Sequence, residues 1–315
     1  MKLDVKKIVI CGASAILLLL IGIAIGLGLN NNKMKPVMLT DIEFERTMPQ
    51  SELAEKIENN FWAFARASYI LIGNPPDCEF YKIVKEVPRN NYDTERFYIT
   101  DNSEYMYYYN EDGTVNSTLA IDVSAYQESI DWEAVKASGV TVAMIRVGYR
   151  GYGEEGKIAV DKMFTEHIEG ALQAGLKVGV YFFSQALNYD EGVEEANFVI
   201  NAISGYNISC PVAIDTEFVG ADGARTLNLD VNSRTDGVVA FCETIKNSGY
   251  VPMIYSNRNW FAQSLDMTRL GGYKLWVAHY VNQPDFPYLY QGWQYTDQGV
   301  LQGVNGNVDL NVWFE

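Results

Sequence analysis

The sequence predicts an α/β barrel for residues 118–315, preceded by a small α+β module and one N-terminal transmembrane helix. Three observations carry this prediction. From Thr118 onward, short apolar runs alternate with amphipathic stretches, the pattern of repeated strand–helix units with parallel strands. Four of the amphipathic stretches end at Ser138-Gly139, Ala174-Gly175, Ser204-Gly205 and Ser248-Gly249, and glycine is the residue that closes a helix in the left-handed conformation. At the other end of the chain, the segment from Ile8 to Leu29 carries no charged residue.

The elements follow in order. Residues 1–7 form a stub that contains Lys2, Lys6 and Lys7. Residues 8–29 are apolar throughout, and at about 1.5 Å per residue a helix of this length crosses the roughly 30 Å hydrocarbon core of a bilayer. The lysines ahead of it keep the N-terminus cytoplasmic and put everything after it on the outer, cell-wall face, so a lipid bilayer is an expected partner and a single-pass membrane protein the expected topology. No small-residue cleavage site follows Leu29, which favours an uncleaved anchor over a signal peptide. A polar tract then leads into a module at residues 36–117. Ser51 caps a predicted helix that runs to about Leu71, with Leu53, Ile57, Phe61, Phe64 and Ser68 on one face. Strands are expected at Phe80–Lys85, Arg96–Ile99 and Met106–Tyr109, the last closed by the turn Asn110–Gly113. No catalytic constellation is visible in this module, which reads as a spacer or as a surface for a partner of unknown kind.

Within residues 118–315, strands are predicted at Ala120–Val123, Ala143–Val147, Val178–Phe183, Val212–Asp215 and Met253–Ser256, each followed by a helix; Asp131, Asp190 and Ser233 are candidate N-caps. Three more strands, Leu275–Tyr280, Trp293–Tyr295 and Val308–Val312, follow too closely for crossover helices, which need about a dozen residues. Together they describe a TIM-like barrel of five strand–helix units and three further strands.

Composition narrows the function. A formal net charge of -16 repels phosphate backbones and argues against nucleic acid as a partner. With only His167 and His279, a multi-histidine metal site is not available, and the spacing of Cys11, Cys78, Cys210 and Cys242 matches no zinc or redox motif, so neither metal nor cofactor is expected. A bridge between Cys210 and Cys242 stays open at this stage. The 21 tyrosines and 6 tryptophans suit sugar stacking as well as ordinary cores.

Acidic residues carry the clearest chemical signal. Asp215 ends the fourth barrel strand and Glu217 follows two residues later, so strand alternation aims both carboxylates to one side at a strand's C-terminal end, where barrel enzymes keep their chemistry. Asp122 lies on the first strand and Asp309 on the last, and these two strands are neighbours once a barrel closes. Crowded carboxylates resist ionising together, which keeps at least one protonated. A protonated carboxyl beside a charged one is what glycosidic hydrolysis requires. The match of Gly151–Gly156 to G-x-G-x-x-G does not compete, because Glu154 and Glu155 would face the phosphates; a loop over the barrel mouth is expected there instead.

With these pieces in view, the chain from about Leu119 onward resembles the glycoside hydrolase family 25 lysozymes, the muramidases. The matching segments are Ile121-Asp122-Val123-Ser124 with Gln127 and Ile130-Asp131-Trp132, Tyr181-Phe182-Phe183, Ile214-Asp215-Thr216-Glu217, Ile254-Tyr255-Ser256, Leu275-Trp276-Val277-Ala278 with Tyr280, Trp293-Gln294-Tyr295, and Val308-Asp309-Leu310-Asn311. The resemblance implies cleavage of the β-1,4 bond between N-acetylmuramic acid and N-acetylglucosamine in peptidoglycan. It implies Glu217 as general acid, Asp215 as the group that orients the substrate acetamido or serves as charged partner, and Asp122 and Asp309 as the rest of the acidic floor. Tyr181, Trp276, Tyr280 and Trp293 become candidates for sugar contacts. One departure is visible: a glycine usually follows the glutamine matched by Gln127, and here Glu128 stands in its place. Two other readings stay compatible with the residues, a non-catalytic glycan-binding scaffold and a related hydrolase of chitin-like polymers.

Overall fold

A computed structural model describes residues 50–74, 77–100 and 103–315. The apolar segment 8–29 lies outside the described residues; among the described ones, no helix is long and apolar enough to cross a membrane. The chain divides into two compact units, residues 1–64 and 65–315.

Helix α1 (Gln50–Ser68) leads directly into β1 (Tyr69–Asn74), which pairs antiparallel with β2 (Asp77–Lys82). Here the sequence reading placed helix as far as about Leu71; the β-branched and aromatic run Tyr69-Ile70-Leu71-Ile72 takes the strand it prefers. A second small ladder joins β3 (Phe97–Tyr98) to β4 (Tyr107–Tyr108). The two ladders, β1–β2 and β3–β4, belong to the same compact unit as the barrel. The Tyr288 hydroxyl accepts from the Val84 amide at 3.0 Å, Asn90 Nδ2 donates to the Phe286 and Tyr288 carbonyls, and Tyr92 stacks on Phe314 at 4.3 Å. Phe97 meets Trp293 edge-on at 4.9 Å.

The barrel strands are β5 (Thr118–Val123), β6 (Val140–Arg150), β8 (Lys177–Phe183), β9 (Val212–Asp215), β10 (Pro252–Asn257), β11 (Lys274–Ala278), β12 (Gly292–Gly299) and β13 (Val308–Trp313). A short β7 (Ile158–Val160) folds back antiparallel on β6 and makes the Gly151–Gly156 loop the tip of a hairpin. Neighbouring barrel strands are parallel up to β12, β13 runs antiparallel to both β12 and β5, and the β5–β6 pairing closes the ring. Helices α2 (Trp132–Ala137), α3 (Phe164–Gln173), α4 (Tyr189–Ile203), α5 (Val231–Asn247) and α6 (Arg258–Ser264) follow the first five barrel strands in turn. The last three strands have no regular helix between them, so the expected count of five units and three strands is what the chain builds.

Helix starts correct two expectations. Asp131 caps α2, but α4 is capped by Asn188 rather than Asp190, and α5 by Asp230 rather than Ser233. In both corrected cases a short polar side chain two or three residues earlier reaches the free amides, and Ser233 instead donates to Asp230 at 2.7 Å. Cys78, Cys210 and Cys242 are free thiols, which removes the Cys210–Cys242 bridge.

Two apolar layers result from strand alternation. The outward layer packs sheet against helices. The inner one holds Ala120, Val142, Met144, Tyr181, Ala213, Met253, Tyr255, Trp276, Ala278 and Trp313. Large rings fit only because small residues oppose them: a Cβ on Gly292 would come within 2.7 Å of both the Trp276 and Trp313 rings. Outside the barrel, Glu195 of α4 is fully buried, with Arg150 Nε at 2.7 Å and Ser184 Oγ at 2.6 Å. Burial pushes the Glu195 carboxyl up to about 7 against the pull of these partners.

Candidate active site

The four acids converge on one rim of the barrel. Asp215 is the last residue of β9 and Asp122 lies near the end of β5. Because β13 runs the opposite way, its beginning rather than its end reaches the same rim, and Asp309 sits directly across from Asp122 in the β13–β5 ladder. Glu217 lies just past β9. The intervening Thr216 is clamped: its amide donates to the Tyr255 carbonyl at 3.1 Å, and its own carbonyl accepts from Ser256 Oγ at 2.6 Å.

Asp122 is the best-supported carboxylate. Asn311 Nδ2 donates to it at 2.8 Å and Gln294 Nε2 at 3.0 and 3.1 Å. Burial raises its pKa, while hydrogen bonds from Asn311, Gln294 and Asp309 pull the other way. The bond with Asp309 has a consequence for that partner. Burial first, then the charge of Asp122 and the hydrogen bond to it, push Asp309 up to about 9, so at neutral pH Asp309 is the protonated donor and Asp122 the acceptor.

Asp215 is raised well above the usual carboxylate range, by burial first and then by Glu217, Asp122 and Asp309, against the opposing charge of Arg146. Its Oδ1 is buried and has no hydrogen-bond partner among the described residues. Glu217 is also raised, mainly by burial and further by Asp122, with a hydrogen-bonding contact to the Tyr255 hydroxyl opposing. Among the described residues, no three His, Cys, Asp or Glu side chains come together in a way that would hold a metal ion.

The four aromatic candidates separate. Tyr280 is at the mouth, half its surface open, with its hydroxyl donating to Gln294 Oε1 at 2.8 Å. Tyr181 and Trp276 line the barrel interior, their rings edge-on at 6.1 Å, and the Trp276 indole N–H donates to Asn311 Oδ1 at 2.7 Å. Trp276 is almost wholly buried beneath the acids, where it props Asn311 rather than meeting solvent. Trp293 is displaced from the site altogether. It faces out of the barrel, fully buried, with its indole N–H on the His279 carbonyl at 2.8 Å, because the next residue, Gln294, takes the inward position on β12.

Gln294 is a site residue that the motif reading passed over in favour of its neighbour. Its oxygen accepts from both Tyr255 and Tyr280 at 2.8 Å, and its nitrogen donates to Asp122. Tyr255, Asn311 and Arg146 join it. Arg146 donates to Asp161 at 2.7 Å and lies 5.3 Å from the centre of the exposed Tyr126 ring. The available signal was polarity: Gln294 follows Trp293 in the buried start of β12, and Asn311 stands among the buried apolar residues Leu310, Val312 and Trp313 of β13. At the substituted position near Gln127, Glu128 has φ 49°, the one non-glycine residue with positive φ among those described. A glycine would take that conformation without a Cβ penalty, which explains the family's preference there.

Comparison with known proteins gives this geometry a context. Residues 121–304 match the family model "Glycosyl hydrolases family 25". An autolytic lysozyme of Clostridium acetobutylicum is 32% identical over 196 residues, covering 62% of this chain and 55% of that protein, so the chain spans about half the length of that relative. The modular autolysin LytC of Streptococcus pneumoniae superposes with a TM-score of 0.57 at 24% identity, over 78% of this chain and 58% of LytC. A bacterial lysozyme of Streptomyces coelicolor superposes with a TM-score of 0.51 at 24% identity, over 62% of this chain and 91% of that one. Both structures share the fold.

Proposed function

The chain belongs to glycosyl hydrolase family 25, and from that premise we propose that it is a muramidase, hydrolysing the β-1,4 bond between N-acetylmuramic acid and N-acetylglucosamine in peptidoglycan. The observation that supports this most directly is the set of unequal carboxyls on one rim. Glu217 keeps its proton through burial and the nearby Asp122 charge, and donates it to the leaving glycosidic oxygen. Asp122, held by two amide side chains and by protonated Asp309, stays charged and stabilises the positive charge that develops on the sugar, until water adds to that carbon and gives up a proton to the ionised Glu217. Asp215 presents an unpaired buried oxygen, which accepts from a substrate donor such as the acetamido N–H. Tyr280 offers an exposed ring and Tyr181 a buried one to the sugar bound there. In a turbidity assay, the purified protein is expected to clear a suspension of peptidoglycan, and Glu217→Gln to lower the rate by about 10²–10⁴-fold while still sedimenting with the wall. Equal clearing by both proteins would remove Glu217 from the reaction.

The same reading extends to location. The uncharged segment 8–29, preceded by three lysines, supports a single-pass anchor that holds the enzyme on the wall face of a membrane, where the lipid bilayer is its second partner. The full chain is expected in the membrane fraction of cells and a chain beginning at residue 36 in the soluble one. Identical fractionation of the two would refute the anchor.

A further inference from the structure

Next to the acid cluster is a cavity of about 610 Å³ whose walls come from two parts of the chain, Tyr280, Asn282 and Asp297 from the barrel loops and Ile99, Glu104 and Tyr105 from the segment before the barrel. That segment precedes the residues that match the family model. A second hollow, about 540 Å³, adjoins it and shares Ile99, Met106 and Asn282. Each volume lies in the range of small-ligand sites, about 300–1,000 Å³.

The cavity continues the site. Tyr280, on its wall, donates to the same Gln294 whose nitrogen holds Asp122. Asp297, on the same wall, is close enough for its charge to raise both Asp309 and Tyr280. Register shifts on either side of Thr296, which still pairs with Leu310, leave Asp297 and Gln298 without partners in the β12–β13 ladder, and both line this space; such irregularities are common beside active sites. The opposite wall is fastened to the barrel: the Met106 amide donates to the Tyr295 hydroxyl at 3.3 Å, and Phe97 packs edge-on against Trp293.

Its chemistry narrows the occupant. Several exposed apolar and aromatic side chains converge there, including Ile99, Tyr280, Val281 and Val300. Among the described residues the polar lining consists of amides, hydroxyls and the carboxylates Glu104 and Asp297, with no lysine or arginine. Such walls repel the carboxylates of a stem peptide. They suit an uncharged N-acetylated sugar, whose ring faces stack on tyrosine, whose methyl group packs on Ile99 or Val300, and whose hydroxyls donate to carboxylates. We propose that Ile99, Glu104, Tyr105 and Met106 complete a glycan-binding groove, and that this cavity binds N-acetylhexosamine units of the same strand beyond those held at the acid cluster. The proposal rests on the muramidase reading for the polymer concerned and adds the place where its continuation is bound.

Two variants on opposite walls test it: Val300→Trp, at a site 75% exposed, and Ile99→Asp, at a site 52% exposed, both chosen because neither residue is buried in the fold. Binding of peptidoglycan glycan oligomers of increasing length, with their muramic acid carboxyls capped as methylamides, is measured by titration calorimetry on Glu217→Gln protein, and cleavage of the same oligomers with Glu217 intact. Affinity is expected to rise with length until the cavity is filled, and each variant to remove about tenfold of that gain. Length-independent binding, or variants that bind the long oligomers as tightly as the parent, would overturn the proposal whether or not cleavage occurs. Length-dependent binding lost in the variants, with no cleavage by the intact protein, would keep the groove and refute the muramidase reading instead.

Discussion

Both polar atoms of the Gln294 carboxamide are committed, the oxygen to two tyrosine hydroxyls and the nitrogen to Asp122. Gln294→Leu would therefore free Tyr255 and Tyr280 together and strip donors from the one carboxylate that has to stay charged. Hydrogen bonds to the charged form lower a pKa, so their loss raises that of Asp122. The acid limb of the kcat/KM profile is expected to move to higher pH in Gln294→Leu; a profile that only drops in height without moving would assign Gln294 a purely structural part. The four acids were legible because strand alternation fixes which side chains share a face, and because acidic residues at the ends of apolar strands stand out. Gln294 and Trp293 were harder to tell apart. Both faces of β12 are buried at its start, Gly292–Gln294, so the apolar residue and the polar one each had a plausible inward position, and only the ring of neighbouring strands decides between them.

At the level of strands and helices, the barrel interior is set by volume. Adding a methyl at Gly292 forces Trp276 or Trp313 from its place, and overpacking of this kind costs about 1–3 kcal/mol. Gly292→Ala is thus expected to lower the chemical-denaturation midpoint; because Trp276 carries Asn311, it is also expected to lower activity. Unchanged stability would mean that the rings repack freely. On the outside, Glu195→Ala leaves the buried Arg150 guanidinium without the partner at 2.7 Å, and breaking a buried pair costs about 3–5 kcal/mol. Arg150 keeps a second, more exposed partner in Glu194, which places the expected loss at the low end of that range. Strand and helix order was readable from periodicity and glycine joints, as was the Asp131 cap of α2, whereas the starts of α4 and α5 were not, since several short polar residues precede them and only the backbone geometry selects Asn188 and Asp230. The ladder β1–β2 and the attachment of residues 69–117 to the barrel depend on pairings and aromatic contacts far apart in sequence, such as Tyr92 with Phe314, and periodicity carries no trace of those.

Taken as one molecule, the unit from Ala65 to Glu315 holds four raised carboxyls at one rim and a fifth, Glu195, outside the barrel, and that has a cost in stability that depends on pH. Asp309 holds its proton up to about pH 9 when folded and releases it near pH 4 when unfolded, about its unperturbed value. Between those values the folded state binds more protons, so stability falls as pH rises through the window and is fully present only below it. Asp122, Asp215 and Glu217 shift in the same direction and add to the slope. Calorimetric Tm is expected to decline from pH 5 to pH 9, and less steeply in Asp309→Asn; equal slopes would show that Asp309 is not protonated in the native state. The chemistry itself is tested most directly by the ends it creates. After digestion of purified peptidoglycan with the protein beginning at residue 36, the products are reduced with borohydride and identified by mass spectrometry, with Glu217→Gln in parallel. Muramic acid at the new reducing ends, absent with the variant, is the predicted result, and glucosamine at those ends, or no new ends with the intact protein, would contradict it.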